Sequence, residues 1–461
     1  WVLTSYIVAA AIMTPPTGFL ASRFGRKKLF LVSVTGFTIA SMLCGAAVSL
    51  PEMVVFRLLQ GAFGAGLVPL SQAVLLDTYP KEKHGSAMAM WGMGVMLGPI
   101  LGPTLGGYLT EYYNWRWVFY INLPVGLLAL GGIMAFVPET DKRKGLSFDW
   151  FGFALLSLSI GALQMMLDRG ESQNWFSSSE ILIETALAAV CLYMFIVHMF
   201  TARNPFLEPG LFADRNFVIG LFFIFIVGVV LLATLALLPP FLQNLMGYPV
   251  VTAGMLLAPR GVGTMIAMML VGRLIGKIDI RILILFGLFM TALSLYQMMG
   301  FTTEVSEFTI IRTGIIQGIG LGFIFVPLST ITFATLDPHY RTEGTAMFSL
   351  MRNIGSSIGI SVMTTMLTQN TQVMHASLAA TLTPFRMALQ SPWLPETWDW
   401  QSATGAVTLN QVVTAQANTV AYLNDFQAMM WIVIAVVPLL LLMQGPKRKA
   451  PSRDEHMEVM E

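Results

Sequence analysis

The chain alternates long apolar runs with short polar breaks. Runs long enough to cross a hydrocarbon core of about 30 Å lie at about 1–22, 28–48, 52–76, 84–109, 117–137, 148–168, 180–201, 215–240, 250–275, 280–301, 307–334, 342–368 and 425–444. Such runs predict helices, because a helix satisfies its backbone hydrogen bonds within one segment and hydrocarbon offers no other partner. Thirteen spans are expected, in an all-α polytopic membrane protein.

Composition fits that reading. The 461 residues are 55% hydrophobic and 11% charged, with mean hydropathy +0.70, where a soluble domain carries about 25% charged residues. A net charge of +1 gives no argument for nucleic acid or for an acidic partner. Cys44 and Cys191 lie within apolar runs, so neither a structural disulfide nor a metal site is expected. The 31 methionines are mostly core, although their soft side chains suit cavities that accept varied shapes. No catalytic constellation and no nucleotide motif occurs, so we expect no enzyme and no cofactor. Any transport must draw on a gradient.

Lys and Arg set the orientation. With Lys447, Arg448 and Lys449 in the cytoplasm, the loops at 22–28, 77–84, 138–147, 201–216, 272–281, 335–343 and 445–461 hold 19 of the 26 basic residues. The opposite loops hold three: Arg116, Arg169 and Arg386. That is a decisive positive-inside bias. By alternation Trp1 lies outside, so an N-terminus that starts inside requires one more crossing before residue 1.

Internal repeats give the organisation. Gly18-Phe-Leu-Ala-Ser-Arg-Phe-Gly-Arg-Lys-Lys-Leu recurs weakly from Gly272, Val68-Pro-Leu-Ser recurs at Val326, and Gly85-Ser-Ala-Met recurs as Gly344-Thr-Ala-Met, at offsets of 254, 258 and 259. A near-constant offset implies two parallel halves. We expect a first half at 1–137 with five of six spans visible, two central linker spans at 138–214, a six-span second half at 215–444 with a long outer loop at 369–424, and a cytoplasmic tail at 445–461.

Several motifs carry a family resemblance. Gly94, Gly98, Gly102 and Gly106 form a side-chain-free strip down one helix, with Pro99 and Pro103 behind two of them. Such a strip lets helix backbones approach closely, and its Gly102, Pro103, Gly106, Gly107 end resembles the antiporter motif of the major facilitator superfamily. The tract with Gly18, Arg23, Gly25 and Arg26 resembles the superfamily's G-x-L-A-D-R-x-G-R-K loop, except that Ser22 stands where an Asp is usual; Asp77 is a candidate partner for Arg23 or Arg26. Arg57, Gln60 and Gly61 resemble its R-x-x-Q-G motif. Trp115-Arg-Trp-Val-Phe-Tyr-Ile-Asn-Leu-Pro and Leu167-Asp-Arg-Gly are similar to stretches of the fourteen-span drug:proton antiporters, specifically the EmrB-like branch. The resemblance implies the major facilitator fold and proton-driven drug export by alternating access. It also implies a bacterial inner-membrane location and a tripartite pump completed by a periplasmic adaptor of EmrA type and an outer-membrane channel. A metabolite uniporter or symporter on the same fold and a non-transporting membrane sensor are the alternatives.

Four arginines lie inside spans: Arg57, Arg260, Arg312 and Arg352, with Arg260 and Arg352 near the midplane. Glu52, Asp149, Glu180, Glu307, Glu343 and Asp425 sit at span ends, and Glu184 about a turn inside. No acid is expected deep in either half; the resemblance, to a family whose first span ordinarily carries an Asp, implies that the coupling acid lies in a helix before residue 1, facing Arg57. The polar residues Arg57, Gln60, Gln72, Arg260, Gln317, Arg352 and Asn353 are the expected lining of a substrate and proton pathway, sealed on one side by Gly94 to Gly107. Two midplane cations favour lipophilic weak acids over lipophilic cations, which also fits the uncouplers and acidic antibiotics associated with EmrB-like exporters. An alternative for Arg260 and Arg352 is bonding to backbone carbonyls of broken helices. Within 369–424, residues 369–390 are expected to prolong the preceding helix and 409–424 to lead into the last. The aromatic turn at 391–400 between them is the expected adaptor contact, unless it packs on lipid.

Overall fold

The computed structural model describes residues 1–80, 83–139, 148–382 and 402–443, and among them every regular element is helical. The first apolar run is not one straight helix. α1 (Val2–Met13) and α2 (Thr17–Phe24) meet at 55° around Pro15 and Pro16, which remove backbone donors and clash with the preceding turn. Gly25, at φ 91°, turns the chain from α2 into α3 (Arg26–Ala46), a left-handed conformation that favours glycine. α4 (Leu50–Gly64) and α5 (Leu67–Thr78) together make one span, followed by α6 (His84–Tyr112), the short α7 (Trp117–Tyr120) and α8 (Asn122–Phe136). α9 (Trp150–Arg169) and α10 (Ser179–Thr201) form an antiparallel pair. The remaining helices are α11 (Arg215–Pro240), α12 (Val250–Leu274), α13 (Ile280–Met298), α14 (Glu307–Ala334), α15 (Arg341–Thr381) and α16 (Ala403–Val436).

Among the described residues ten helical segments are long and apolar enough to cross a membrane, or eleven with the bent pair counted as one span. α6 and α15 have the length, at 29 and 41 residues, but glycine and proline dilute the first, and Ser, Thr, Asn and Gln the second. All thirteen expected runs are therefore helical, but the final boundary needs correction. The last helix begins at Ala403, 22 residues before the apolar run at 425. Helical structure at 369–381 and 403–424 agrees with the helical extensions expected at 369–390 and 409–424, the second starting six residues earlier, and the aromatic turn at 391–400 lies outside the described residues.

Side-chain caps start many of these helices. Ser49, Asp149, Asp214, Asp279, Ser306 and Ser402 each accept a backbone N–H of the first turn, satisfying donors that a helix start leaves open. α11 to α16 share the largest apolar core, with Phe217, Phe223, Phe241, Phe333, Phe348 and Phe426 fully buried. A smaller cluster joins α1, α9, α10 and α15 through Ala11, Leu155, Ile160, Phe195 and Leu350.

The α9–α10 pair is bonded on both sides. The Thr4 hydroxyl of α1 donates to Asp168 at 2.5 Å, and the Ser361 hydroxyl of α15 donates to the Leu167 carbonyl at 2.7 Å. The Thr368 hydroxyl bonds Glu171 one turn farther on, and Arg169 pairs with Glu180.

Candidate functional site

A buried polar layer lies among α11, α12, α14 and α16. α12 and α14 approach closely because Gly314, Gly318 and Gly322 form one edge of α14; a Cβ at Gly318 would collide with the Arg260 carbonyl oxygen. That close packing carries Arg260 inward, where it is 5% exposed. Its Nη2 reaches the Leu231 carbonyl of α11 at 3.5 Å, and its Nη1 has no partner among the described residues. Gln317, between two of those glycines, donates to the Thr234 hydroxyl at 3.4 Å, while its Oε1 has no partner. Thr234 sits one helical turn from Leu231 and lies 3.6 Å from the Met429 sulfur of α16. The structure therefore brings Arg260 and Gln317 to the same turn of α11, with two polar atoms left over. The carbonyl-bonding alternative holds for Arg260 only at that one long contact.

One turn along α16 from Met429 stands Asp425. It is 0% exposed, and neither carboxylate oxygen has a hydrogen-bond partner among the described residues. Aromatic rings crowd its neighbours: Phe241 on Tyr422 at 5.2 Å and Phe301 on Phe426 at 6.4 Å. This overturns the expectation that no acid lies deep in the second group. The apolar run began at Asp425 only because Asn424 and the polar residues before it hid the first half of the helix.

Arg57 stands in a different setting. Half-buried, it donates from Nε to the Val2 carbonyl at 3.0 Å and from Nη1 to Gln60 Oε1 at 2.8 Å. Its guanidinium lies over the rings of Tyr6 (4.8 Å) and Phe119 (5.5 Å). No acid faces it among the described residues. Gln60 also accepts from the Cys44 thiol at 3.7 Å. Gln72 is buried with both amide atoms unpartnered. Arg352 and Asn353 are half-buried, and among the described residues no hydrogen bond joins either side chain to the Arg260 layer. Arg312 is exposed, and Glu184, half-buried on α10, keeps one carboxylate oxygen unpartnered.

The glycine strip of α6 departs from expectation. A Cβ at Gly94, Gly98, Gly102 or Gly106 would meet no atom within 4 Å, so this face borders open space rather than another helix. α6 packs on α12 along a neighbouring edge instead, through Gly85 against Ile275, Gly92 against Met268 and Gly107 against Val251. Trp91 adds a ring stacked on Phe325 at 5.9 Å and a hydrogen bond to Ser71.

The face bearing the basic loops is tied by charge. Asp77 pairs with Arg26, as the sequence allowed, and also with Arg341 at 2.8 Å. Arg341 donates as well to the Leu76 carbonyl at 3.0 Å, and the Thr345 hydroxyl donates to the Pro69 carbonyl at 3.1 Å. Gly18 leaves room for Glu343 against α2, and Arg23 lies over the Phe24 ring at 5.7 Å. The sequence reading missed Arg341; as the lone cation of its loop, at the start of the longest helix, it carried a readable signal. Just before α9, Asp149 accepts from the Gly152 and Phe206 N–H groups and faces His198 at 2.8 Å. Burial pushes its carboxyl up, but these bonds outweigh it and hold the group below the usual carboxylate range.

Comparison with known proteins agrees with this architecture. The sequence profile of the Major Facilitator Superfamily matches residues 1–360. The multidrug export protein EmrB of Escherichia coli K12 is 39% identical over 396 residues, 85% of this chain and 77% of that protein. The fatty acid resistance protein FarB of Neisseria gonorrhoeae is 34% identical over 450 residues, 97% of this chain and 88% of that protein. In three dimensions the human organic anion transporter MFSD10 superposes with a TM-score of 0.58 over 94% of this chain and 82% of its own, at 14% identity. At that identity the likeness speaks to fold alone.

Proposed function

Since this chain belongs to the major facilitator superfamily and is EmrB-like in sequence, we propose that it is a proton-driven antiporter exporting lipophilic weak acids by alternating access. The observation that carries this reading is Arg260: a buried guanidinium with an unpartnered nitrogen, in a layer shared with the unpartnered amide oxygen of Gln317. A buried cation without a counter-ion is costly, and an anionic substrate entering the layer relieves that cost. Gln317 and Thr234 orient it, and Arg352 and Asn353 line the approach from α15. The name of the FarB relative supports the same substrate class, since fatty acids are lipophilic carboxylates. Arg57 and Gln60, bonded to each other and to α1, brace the wall of the pathway in the first half, and Gln72 is its floor. The open strip from Gly94 to Gly106 provides a surface along which substrate or a moving helix passes.

In this reading the basic-loop face is cytoplasmic, the membrane is a bacterial inner membrane, and Arg26, Asp77 and Arg341 hold the cytoplasmic side shut. The helical extensions of α15 and α16 toward the opposite face form the base on which an adaptor of EmrA type docks, completing a tripartite pump with an outer-membrane channel. The test is transport by the full chain in proteoliposomes under an imposed pH gradient. We expect gradient-dependent accumulation of anilinonaphthalene sulfonate, a lipophilic anion, well above that of ethidium, a lipophilic cation. Accumulation that ignores the gradient, or that favours ethidium, overturns the proposal.

A further inference from the structure

We infer that Asp425 is a proton-binding site of the second helix group, loaded from the face opposite the basic loops; the inference rests on the antiport reading above. Its carboxylate is wholly enclosed, and both oxygens lack a donor or cation among the described residues. An ionised carboxylate is poorly tolerated in such a place, whereas a protonated one carries no charge to desolvate. Intramembrane ionisable residues of this kind mark ion and proton pathways.

The elements packed against α16 bring it no counter-ion. α11 carries one ionisable group, Arg215, at its far end, and the turn at 241–245 carries none. α13 brings Arg281, also at its far end, and Tyr296, whose ring is 62% exposed. On α15, the Thr371 bond to Asn418 sets the register of the two antiparallel helices. That register places Arg352 about 18 Å toward the basic-loop face, with Glu343 and Arg341 farther still. His375 bonds Asn410 about 22 Å away on the other side. Tyr422, one turn back on α16 itself, is the remaining ionisable neighbour.

Arg260 is the nearest buried cation by layer. Its guanidinium meets α11 at Leu231, while Met429 meets Thr234, so about 10 Å of helix axis separates it from Asp425. Acid and cation are thus both buried, both incompletely satisfied and held apart in one bundle, with Thr234 and Gln317 between them. A proton adds to a carboxylate oxygen of Asp425 from the opposite face, cancels its charge while the site is closed, and leaves as H⁺ to water when the cycle opens the site to the other side.

The experiment compares wild type, Asp425→Asn and Asp425→Glu, full-length, with anilinonaphthalene sulfonate, whose sulfonate has no proton to contribute. Two transport modes are read in proteoliposomes: accumulation driven by a pH gradient, and counterflow without one. Infrared difference spectra across a pH titration report the protonated-carboxyl C=O stretch. We expect Asp425→Asn to lose driven accumulation by about tenfold or more while keeping counterflow within about twofold, and to lose one carboxyl band that Asp425→Glu retains. Driven accumulation at the wild-type level in Asp425→Asn overturns the inference. If that variant loses counterflow as well, the infrared band decides, and an unchanged spectrum overturns it. If wild type accumulates nothing, the antiport reading falls, and the band by itself still tells whether Asp425 binds a proton.

Discussion

Arg57 and Arg260 are both arginines set into apolar helices, and their surroundings differ in nearly every respect. Arg57 has a carbonyl, an amide oxygen and two aromatic faces arranged around it. Arg260 is more deeply buried and has one long bond. The first is a satisfied cation that joins α4 to α1; the second is an unsatisfied one that neighbouring glycines force inward. Unspent hydrogen-bonding capacity, more than burial, separates a group that holds structure together from one kept for a ligand.

The comparison breaks most visibly at Arg260. Arg260→Gln should lower transport of a lipophilic anion about a hundredfold, or ~2.7 kcal/mol. Its melting temperature in detergent should not fall, because an uncompensated buried charge is itself destabilising. A large drop in melting temperature would make Arg260 structural, like Arg57. Gly318→Ala is expected to destabilise by roughly 2 kcal/mol, since its Cβ meets the Arg260 carbonyl. Gly98→Ala, facing open space, should stay within about 0.5 kcal/mol; equal losses in a paired denaturation experiment would show that the α6 strip is packed after all. Arg57→Gln should cost ~1–2 kcal/mol of stability through its lost hydrogen bond and ring contacts, with transport per folded molecule changed less than in Arg260→Gln.

A modest effect is expected at Asp149, a carboxylate with a full set of donors. Asp149→Ala should cost about 1 kcal/mol as a lost helix cap. Because the folded carboxyl titrates below its unfolded value, its stabilising contribution is present above the unfolded pKa and fades as pH falls through the folded one. The difference in melting temperature between wild type and variant should therefore be full at pH 7 and shrink below about pH 4.

Much of the helical plan was legible in the sequence, because spans of this length leave the backbone no alternative to a helix. The Arg26–Asp77 pair was legible too, since both ends sit in loops on one face. The acid at Asp425 was not. Hydropathy registers the apolar half of α16 and stops where its polar half begins; packing against the rest of the bundle, not composition, makes the residue interior. The open face of α6 was equally hidden: four glycines at a spacing of four are compatible with a helix against them or with none. Gly314, Gly318 and Gly322 share that spacing on α14 and are tightly packed, so the spacing alone does not tell the two cases apart.

The hydrogen bonds made by the α9–α10 hairpin carry a mechanical consequence. Thr4 on one side and Ser361 on the other are fastened to consecutive residues, Asp168 and Leu167. Any rocking that parts α1 from α15 at that end must snap one of these two fastenings or drag the hairpin along. The α9–α10 pair is thus fixed to α1 and to α15 alike, by two hydroxyl bonds at neighbouring positions.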